Sequence, residues 1–389
     1  MRIAVLFTCY NRIEKTRRCI ESIERATNVV NAEQGADTER CVCTEQGISA
    51  EQGISAEQGI SAEQGISAEQ GISAEQGISA EQGISAEQGI SAEQGVSGEQ
   101  CVSIEQGANV PRIELEWFVT DAGSTDGTYE YLNSLDTSKM HACVENGAFY
   151  SQGMRKCMQL LDAFCAENTS FDYVLLVNDD VDFYEDFLKK IFQRNEEFDN
   201  SEADSKVDYG TGYVKQTVVV VGATCTDEKQ SYGGIRYRAL QRNENDFAKQ
   251  ESKNDLKIFS VKYDMVGIGE TDLSSHTFNA NCVLIPWSVY DRSPRMDEYF
   301  VHGLGDFDYG MCLEGEKIST NFFVGYCDNN SKDGTWMDKS LSRKERFKKL
   351  NSVKGAPTKQ WFYYLKKHFG FMTALVYSIS PYIRILLGK

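Results

Sequence analysis

The sequence has few prolines, few histidines and no paired-cysteine motif, and each scarcity removes a class of protein. Five prolines and 32 glycines in 389 residues do not suit a collagen-like chain. The twelve cysteines are dispersed without a Cys-x-x-Cys pair, which argues against zinc-thiolate and thioredoxin-like sites and favours reduced thiols in the cytoplasm. With four histidines and no Gly-x-Ser-x-Gly elbow, nothing predicts a Ser/His/Asp nucleophile.

The pattern predicts neither a signal peptide nor a membrane span. Residues 1–7 are apolar but run directly into Thr8, Cys9 and Tyr10, which favours a buried first strand over a signal peptide. The most apolar stretch, Phe369 to Leu387, has almost the ~20 residues that cross a bilayer but contains Pro381 and Arg384. We therefore expect no membrane-spanning helix.

Charge is distributed unevenly within the net −18. Thirteen consecutive hexads, Glu33 to Val110, contain thirteen Glu and Asp37 against Arg40 alone, a charge of −13. The segment from Arg343 to Lys389 has eleven Lys or Arg against Glu345, a charge of +10. The remainder is therefore acidic, and nothing favours nucleic acid as its partner.

Eight of the hexads, Glu45 to Ala92, read Glu-Gln-Gly-Ile-Ser-Ala. A period of six is typical of hexapeptide β-solenoids, but the glutamine occupies a position where a solenoid needs a small residue. The glycine of each hexad resists helix formation. We predict a flexible or weakly structured surface insert, with a solenoid as the alternative, and expect the insert to be dispensable for folding.

The basic C-terminal segment mixes lysines with Trp361, Phe362, Tyr363 and Tyr364. Such a mixture suits an anionic membrane surface and a peripheral location at the inner face of the cytoplasmic membrane. A helix packed on the main domain with a solvated basic face explains it equally well, so both interpretations stay open.

Outside the hexads, strand patterns alternate with helical patterns. Five short apolar runs predict buried strands: Ile3 to Phe7, Leu115 to Val119, Tyr173 to Val177, Val218 to Val221 and Cys282 to Ile285. Helical periodicity follows three of them, with Asn11 and Ser151 as candidate N-caps. This alternation predicts an α/β fold whose mostly parallel sheet has helices on both faces and binds ligands beyond its carboxyl strand ends.

Polar side chains follow these strands. They are Thr8, Tyr10 and Asn11 after the first run, Asp121 after the second, and Asn178, Asp179, Asp180 and Asp182 after a later one. Crowded carboxylates on a short turn need a neutralising cation, and oxygen ligands favour Mg²⁺ or Mn²⁺. A solvated loop or helix N-cap is the alternative explanation.

A second acidic cluster reads Gly305-Asp306-Phe307-Asp308-Tyr309-Gly310 and is preceded by His302. One of its carboxylates could act as a general base towards an acceptor hydroxyl. The alternative is that Asp306 caps a helix and Asp308 is a structural hydrogen-bond acceptor.

Four segments resemble, in order, those of family 2 glycosyltransferases: Ile3 to Arg12, Trp117 to Thr128, Tyr173 to Asp182 and Gly305 to Gly310. They are similar to the bacterial branch that builds capsule or O-antigen polysaccharide, including rhamnosyltransferase-like members. The resemblance covers nearly all of the 311 non-repeat residues. It implies a Rossmann-like GT-A domain over 1–32 and 111–340, with the hexad insert over 33–110 and a C-terminal helical extension over 341–389.

The resemblance also implies an activity: metal-dependent, inverting transfer of a sugar from a nucleotide-sugar donor to a hydroxyl of a glycan or lipid-linked glycan, at the cytoplasmic face of the membrane. Thr8, Tyr10 and Asn11 would line the nucleotide pocket, and Asp121 would lie beside the base or ribose. Asp180, helped by Asp179 or Asp182, would hold Mn²⁺ or Mg²⁺ on the diphosphate. The remaining implied residues are Asp179 as a nucleotide-sugar contact, Asp306 as the base, and His302 and Asp308 on the acceptor side.

The sequence departs from the family pattern at two points. Ala122 stands where many relatives have a second acid after Asp121, and Met311 and Cys312 stand where relatives often have an arginine. Arg155 could add positive charge to the pocket, although a surface arginine is the alternative. A nucleotidyltransferase, or a non-catalytic sugar- or partner-binding protein, remains a rival hypothesis.

Overall fold

A computed structural model describes residues 1–35, 112–167, 170–193, 218–226, 229–238, 240, 258–270, 274–313, 316–327, 336–355 and 357–388, together with eleven short strands between 42 and 104. The chain divides into two compact units. One comprises Met1–Ala26 and Glu114–Lys389, and the other comprises Thr27–Ile113. The basic C-terminal segment belongs to the first unit.

The strands are numbered in chain order. Strand β1 is Arg2–Cys9, and the repeat strands β2 to β12 are Val42–Thr44, Gly47–Ala50, Gly53–Ala56, Ile60–Ala62, Ile66–Ala68, Gly71–Ala74, Ile78–Ala80, Ile84–Ala86, Ile90–Ala92, Val96–Gly98 and Val102–Ile104. Strands β13 to β23 are Glu114–Asp121, Met140–Val144, Tyr173–Val177, Val181–Phe183, Val218–Thr226, Lys229–Tyr232, Gly234–Tyr237, Tyr263–Met265, Thr277–Phe278, Cys282–Pro286 and Lys317–Cys327.

The larger unit is built on a nine-stranded sheet of order β14-β13-β1-β15-β22-β17-β23-β16, with β18 paired to β17. Strands β14, β13, β1 and β15 are parallel neighbours, whereas β22 runs antiparallel to both β15 and β17. The sheet is therefore mostly parallel, and the α/β class expected from the sequence is confirmed. All five predicted strands are present.

Eight helices with defined bounds accompany the described strands: α1 Ile13–Gly35, α2 Thr128–Ser134, α3 Tyr150–Glu167, α4 Trp287–Arg292, α5 Gly305–Cys312, α6 Arg343–Leu350, α7 Thr358–Phe369 and α8 Phe371–Leu386. On one face of the sheet, Ala4 and Leu6 pack in a core with Met154 and Met158 of α3. The alternate residues Ile3, Val5 and Phe7 are also fully buried, on the opposite face. Both faces are therefore covered, as the short apolar runs predicted.

Both predicted N-caps are wrong. Asn11 directs its side-chain oxygen to the Thr125 amide at 2.8 Å, and the first amide of α1 binds Asp126 instead. Ser151 lies inside α3 and donates its hydroxyl to the His302 carbonyl. In each case a partner distant in the sequence competes for the residue, so local sequence does not reveal it.

The C-terminal helices pack against the rest of the larger unit, to which they belong. Tyr364, Leu365 and Phe369 of α7 are buried in a core with Tyr237 and Phe300. The structure thus favours the packed-helix interpretation for the aromatic segment of α7. No helix within the described residues combines the length and apolarity that crossing a membrane requires.

The repeat unit contradicts the prediction of a flexible insert. Its short strands pair in parallel with strands three hexads away, so Ile48 is in register with Ile66, and Ile66 with Ile84. Further ladders join β4, β7 and β10, and β5, β8 and β11. Paired strands are thus three hexads apart in the sequence, as the solenoid alternative predicts. Where the hexads are identical, this register is self-consistent, because each isoleucine, serine and alanine meets the same residue in the neighbouring strand.

Candidate functional site

Arg12 joins the end of β1 to the acidic turn after β15. Its Nη1 atom donates to Asp179 Oδ1 at 2.9 Å and to Asp180 Oδ2 at 3.2 Å. Because β1 and β15 are parallel neighbours, their carboxyl ends meet at one edge of the sheet, as the sequence predicted. The carboxylates, Asp179 foremost, raise the pKa of Arg12.

The two carboxylates on this arginine differ in exposure. The Asp179 side chain is 4% exposed and its Oδ2 accepts a hydrogen bond from Thr16 at 3.2 Å. Burial raises the pKa of Asp179 to about 7, although Arg12 opposes the shift. The Asp180 side chain is 22% exposed. Asp179 therefore anchors the turn, and Asp180 is the carboxylate with room to meet a ligand.

Asp121 fixes the loop that follows β13. It is fully buried, and its Oδ1 accepts hydrogen bonds from the amides of Gly123 at 2.8 Å and Ser124 at 2.6 Å. The Cys9 thiol lies 3.5 Å from its other oxygen. These contacts give Asp121 a structural role in the loop, and its predicted contact with a nucleotide stays a prediction.

The polar residues at the end of β1 have different environments. Thr8 donates to the Thr120 carbonyl at 2.9 Å, and helix α3 approaches so closely that a Cβ at Gly153 would lie 2.2 Å from the Thr8 hydroxyl oxygen. Tyr10 is 54% exposed. Asn11 has a left-handed backbone with φ of 49° and ties this end to the loop after β13. Tyr10 and Asn11 are thus both exposed, whereas Thr8 is half-buried.

Two predicted site residues have partners of their own. Asp182 lies in β16 with 46% of its side chain exposed, and its Oδ1 is 3.6 Å from Nη2 of Arg25. Arg155 donates from Nη1 to the Asp297 carbonyl at 3.1 Å. Neither contact involves Arg12, Asp180 or Asp306.

Asp306 lies in the first turn of α5. The preceding Leu304 is the N-cap and has a left-handed backbone with φ of 70°, so Asp306 is not the cap of the alternative interpretation. Its oxygens accept hydrogen bonds from the amides of Phe307 at 2.9 Å and Ala280 at 3.4 Å. Burial raises the pKa of Asp306 to about 6, and these amide donors oppose the shift. A carboxylate of this pKa can accept a proton near neutral pH.

Tyrosines lie around Asp306. Burial is the main cause of a raised pKa in each, and the Asp306 carboxylate adds to it for Tyr150, Tyr232, Tyr237, Tyr263 and Tyr364. Tyr232 also experiences the charge of Asp180. The Asn178 side chain donates to Asn281 at 2.8 Å, and the neighbouring Ala280 amide donates to Asp306, so the acidic turn after β15 and the first turn of α5 both contact the segment before β22.

His302 is linked to the same region. Burial lowers the pKa of its imidazole, and the positive charges of Lys354 and Arg12 lower it further. Its Nδ1 atom is buried and has no hydrogen-bond partner among the described residues. A neutral ring with an unused nitrogen is suited to bind a hydroxyl group of a substrate.

Asp308 faces the C-terminal helix α7. Lys367 Nζ lies 2.8 Å from its Oδ2, and His368 Nε2 lies 2.8 Å from its Oδ1. Asp308, Cys312 and His368 have ligand atoms within 4.8 Å of one another and could hold a metal ion. The Lys367 ammonium, however, already supplies positive charge there. The geometry therefore matches the predicted alternative of a structural hydrogen-bond acceptor.

Sequence reasoning missed three residues of this site. Arg12 stands in the sequence only at the end of a family-like segment, although its guanidinium binds two carboxylates of the acidic turn. The charge of Asp306 contributes to the raised pKa of Tyr150 and Tyr232, and the buried Tyr150 hydroxyl has no partner within the described part of the chain. Tyr150 begins α3 and Tyr232 ends β18, and nothing in the sequence indicates that Asp306 acts on both.

The acidic turn after β15 does not itself form a cage of three metal ligands. Among the residues that the structure describes, the set of Asp308, Cys312 and His368 is the one that brings three ligand atoms together. Asp180 offers a partly exposed carboxylate, and Mg²⁺ is commonly held by one or two carboxylates together with substrate phosphates. The turn is therefore compatible with a cation that a diphosphate helps to bind.

No known family model matches the chain, and no curated protein does. Solved structures with a similar course of the chain include Staphylococcus aureus TarS 1–349, with a TM-score of 0.39 and 11% identity over 99% of this chain and 81% of that one. A mannosyltransferase from Pyrobaculum calidifontis, PcManGT in complex with GDP-Man and Mn²⁺, also has a TM-score of 0.39 and 11% identity, over 100% and 73% of the two chains.

Proposed function

We propose that this chain is a metal-dependent, inverting glycosyltransferase. It would move a sugar from a nucleotide-sugar donor to a hydroxyl of a glycan in cell-surface polysaccharide synthesis. The observation that carries the proposal is that two acidic segments, the turn after β15 and the first turn of α5, both contact the residues just before β22. Asp180 lies beside Arg12 in the first segment, and burial raises the pKa of Asp306 in the second to about 6. The order of the four family-like segments supports the same assignment.

Asp306 is the proposed general base. Its carboxylate would take the proton of the acceptor hydroxyl while that oxygen forms a bond to the anomeric carbon. The bond from that carbon to the diphosphate breaks on the opposite side, so the configuration inverts and no covalent enzyme intermediate is needed. Because Asp306 is hydrogen-bonded to two amides, its orientation is fixed before the acceptor arrives.

Arg12 and Asp180 are proposed to bind the donor diphosphate. Asp180 would hold Mn²⁺ or Mg²⁺, and the cation would supply positive charge to the leaving diphosphate. Arg12 already contacts this carboxylate and could turn towards a phosphate oxygen, where its planar guanidinium forms two parallel hydrogen bonds. Tyr10, exposed at the end of β1, would cover the nucleotide.

A donor panel tests the proposal. The purified chain is incubated with nucleotide sugars and Mn²⁺ or Mg²⁺, and release of nucleoside diphosphate is measured with and without EDTA. We expect release with at least one donor, loss of release with EDTA, and strong losses in Asp180→Asn and Asp306→Asn. Asp186→Asn is the matched control, because Asp186 is a 52%-exposed carboxylate that forms an ion pair with Lys190, four residues along the chain.

Three results would contradict the assignment. Pyrophosphate release from a nucleoside triphosphate and a sugar phosphate would identify a nucleotidyltransferase. Nucleotide binding without turnover, with any donor in the panel, would identify a non-catalytic binding protein. Equal turnover by the wild type and both Asn variants would remove Asp180 and Asp306 from the chemistry.

A further inference from the structure

Helix α8 exposes a continuous apolar stripe. The stripe consists of seven side chains that are 39–63% exposed: Phe371, Leu375, Val376, Ile379, Ile383, Leu386 and Leu387. Five of them, Phe371, Leu375, Ile379, Ile383 and the C-cap Leu387, recur at intervals of four residues, and at 100° per residue the six members within α8 fall on one side. Single exposed apolar residues are ordinary, but six on one helix face with a seventh at its end mark an interaction surface.

The opposite face of α8 is packed, so the orientation of the stripe is fixed. Thr373, Ala374 and Ile385 are fully buried, and Thr373 Oγ1 accepts a hydrogen bond from the Phe259 amide at 3.0 Å. Helices α6 and α7 both pack against α8. The stripe therefore points away from the body of the larger unit.

The helices beside the stripe are strongly basic. Exposed lysines on α6 and α7 include Lys344, Lys348, Lys359 and Lys366. They belong to the segment with eleven Lys or Arg and one Glu. Two copies of this chain joined through their stripes would bring two such segments together, and like charges would oppose the contact. An anionic surface instead complements both the apolar stripe and the lysines.

We propose that the stripe lies on an anionic lipid bilayer, with α8 in the plane of the interface. Its apolar side chains enter the boundary between headgroups and acyl chains, and the neighbouring lysines face the lipid phosphates. The contact is made by α8, since the aromatic residues of α7 pack inside the protein, where Tyr364 is hydrogen-bonded to Tyr237 at 2.7 Å. This inference does not depend on the proposed transferase activity.

Vesicle co-sedimentation tests the inference. The full chain is mixed with vesicles of equal parts phosphatidylcholine and phosphatidylglycerol, and with vesicles of phosphatidylcholine alone. We expect binding to the anionic vesicles that weakens as salt is raised, and roughly tenfold or greater loss of partitioning in the double variant Ile379→Gln/Ile383→Gln. Both side chains are 49% exposed, so the folded structure should persist, which circular dichroism checks.

Val144→Gln is the matched control, because Val144 is a 40%-exposed apolar residue on β14 in the large sheet. It should bind vesicles like the wild type. Failure of the wild type to bind anionic vesicles, or equal binding by the double variant, would overturn the inference. Equal binding to neutral vesicles would overturn its electrostatic part. A wild-type dimer that the double substitution converts to a monomer, without vesicle binding, would assign the stripe to a second copy instead.

Discussion

Helix α5 carries two carboxylates, Asp306 and Asp308, that are only two residues apart but lie in different electrostatic environments. Asp306 accepts hydrogen bonds from neutral amides, and burial raises its pKa to about 6. Asp308 is almost fully buried, whereas Asp306 is half-buried, and Lys367 and His368 of α7 bind the two oxygens of Asp308. Burial alone therefore does not identify a reactive carboxylate. What distinguishes the two is that a cationic side chain, Lys367, already pairs with Asp308.

The contacts of Asp308 also indicate a structural role for the C-terminal helix α7. Lys367 contacts both Asp308 and Asp297, at 2.8 and 3.0 Å, and Tyr363 donates to Asp297 at 2.8 Å. These contacts fix α7 against the helix that carries Asp306. Asp308, predicted from the sequence for the acceptor side, is in this structure an anchor for α7.

The largest expected effect is on turnover in Asp306→Asn. If Asp306 is the general base, loss of the carboxylate should lower kcat by roughly 10²–10⁴-fold, whereas the thermal unfolding midpoint should change little because a buried charge is removed. Donor transfer assays and calorimetry measure the two quantities. A kcat that stays within about threefold of the wild-type value would remove the functional difference between Asp306 and Asp308.

The next largest effect is on stability in Asp308→Ala. Removal of this carboxylate leaves the nearly buried His368 without its partner and leaves Lys367 with Asp297 as its carboxylate, and we expect the free energy of unfolding to fall by about 2–3 kcal/mol. Urea denaturation measures it. The double variant Asp308→Ala/Lys367→Met should recover part of the loss, because it removes an ammonium that has lost one of its two carboxylates. Equal destabilisation by Asp306→Ala would contradict the comparison.

A smaller effect concerns pH. Asp306 acts only when ionised, and burial has raised its pKa, so kcat/KM should fall as the pH drops through about 6 and should level off above it. Asp179, with a pKa of about 7, could produce a similar limb. Asp179→Asn separates the two: the limb near pH 6 should persist in that variant. A limb that disappears there would belong to Asp179.

Much of the fold could be predicted, since short apolar runs and helical periodicity are local properties. Strands β1, β13 and β15 lie where these runs predicted them, and their parallel pairing brings Arg12 next to Asp179. The antiparallel direction of β22 could not be predicted, because it depends on connections over many residues.

The site was predictable in location and not in roles. Residues after strand ends converge, as the topology of a parallel sheet requires. The cation that separates Asp308 from Asp306 comes from Lys367, 59 residues further along the chain. The same limit explains the repeat unit, since a single hexad does not show that its isoleucine will be in register with the isoleucine three hexads away.

The smallest effect is expected from a change that touches neither carboxylate, the deletion of Glu45 to Ala92. Every residue of the candidate site belongs to the larger unit, Met1–Ala26 with Glu114–Lys389, so transfer activity and the contrast between Asp306→Asn and Asp308→Ala should persist. Far-ultraviolet circular dichroism should lose β-signal, because the deleted hexads form paired strands. Deletion of 63–80 is the matched control: it removes one period of the ladder and should preserve the register of the remaining strands. Loss of turnover in the long deletion, with retention in the short one, would show that the solenoid supports the site and that the two carboxylates cannot be understood from their own unit alone.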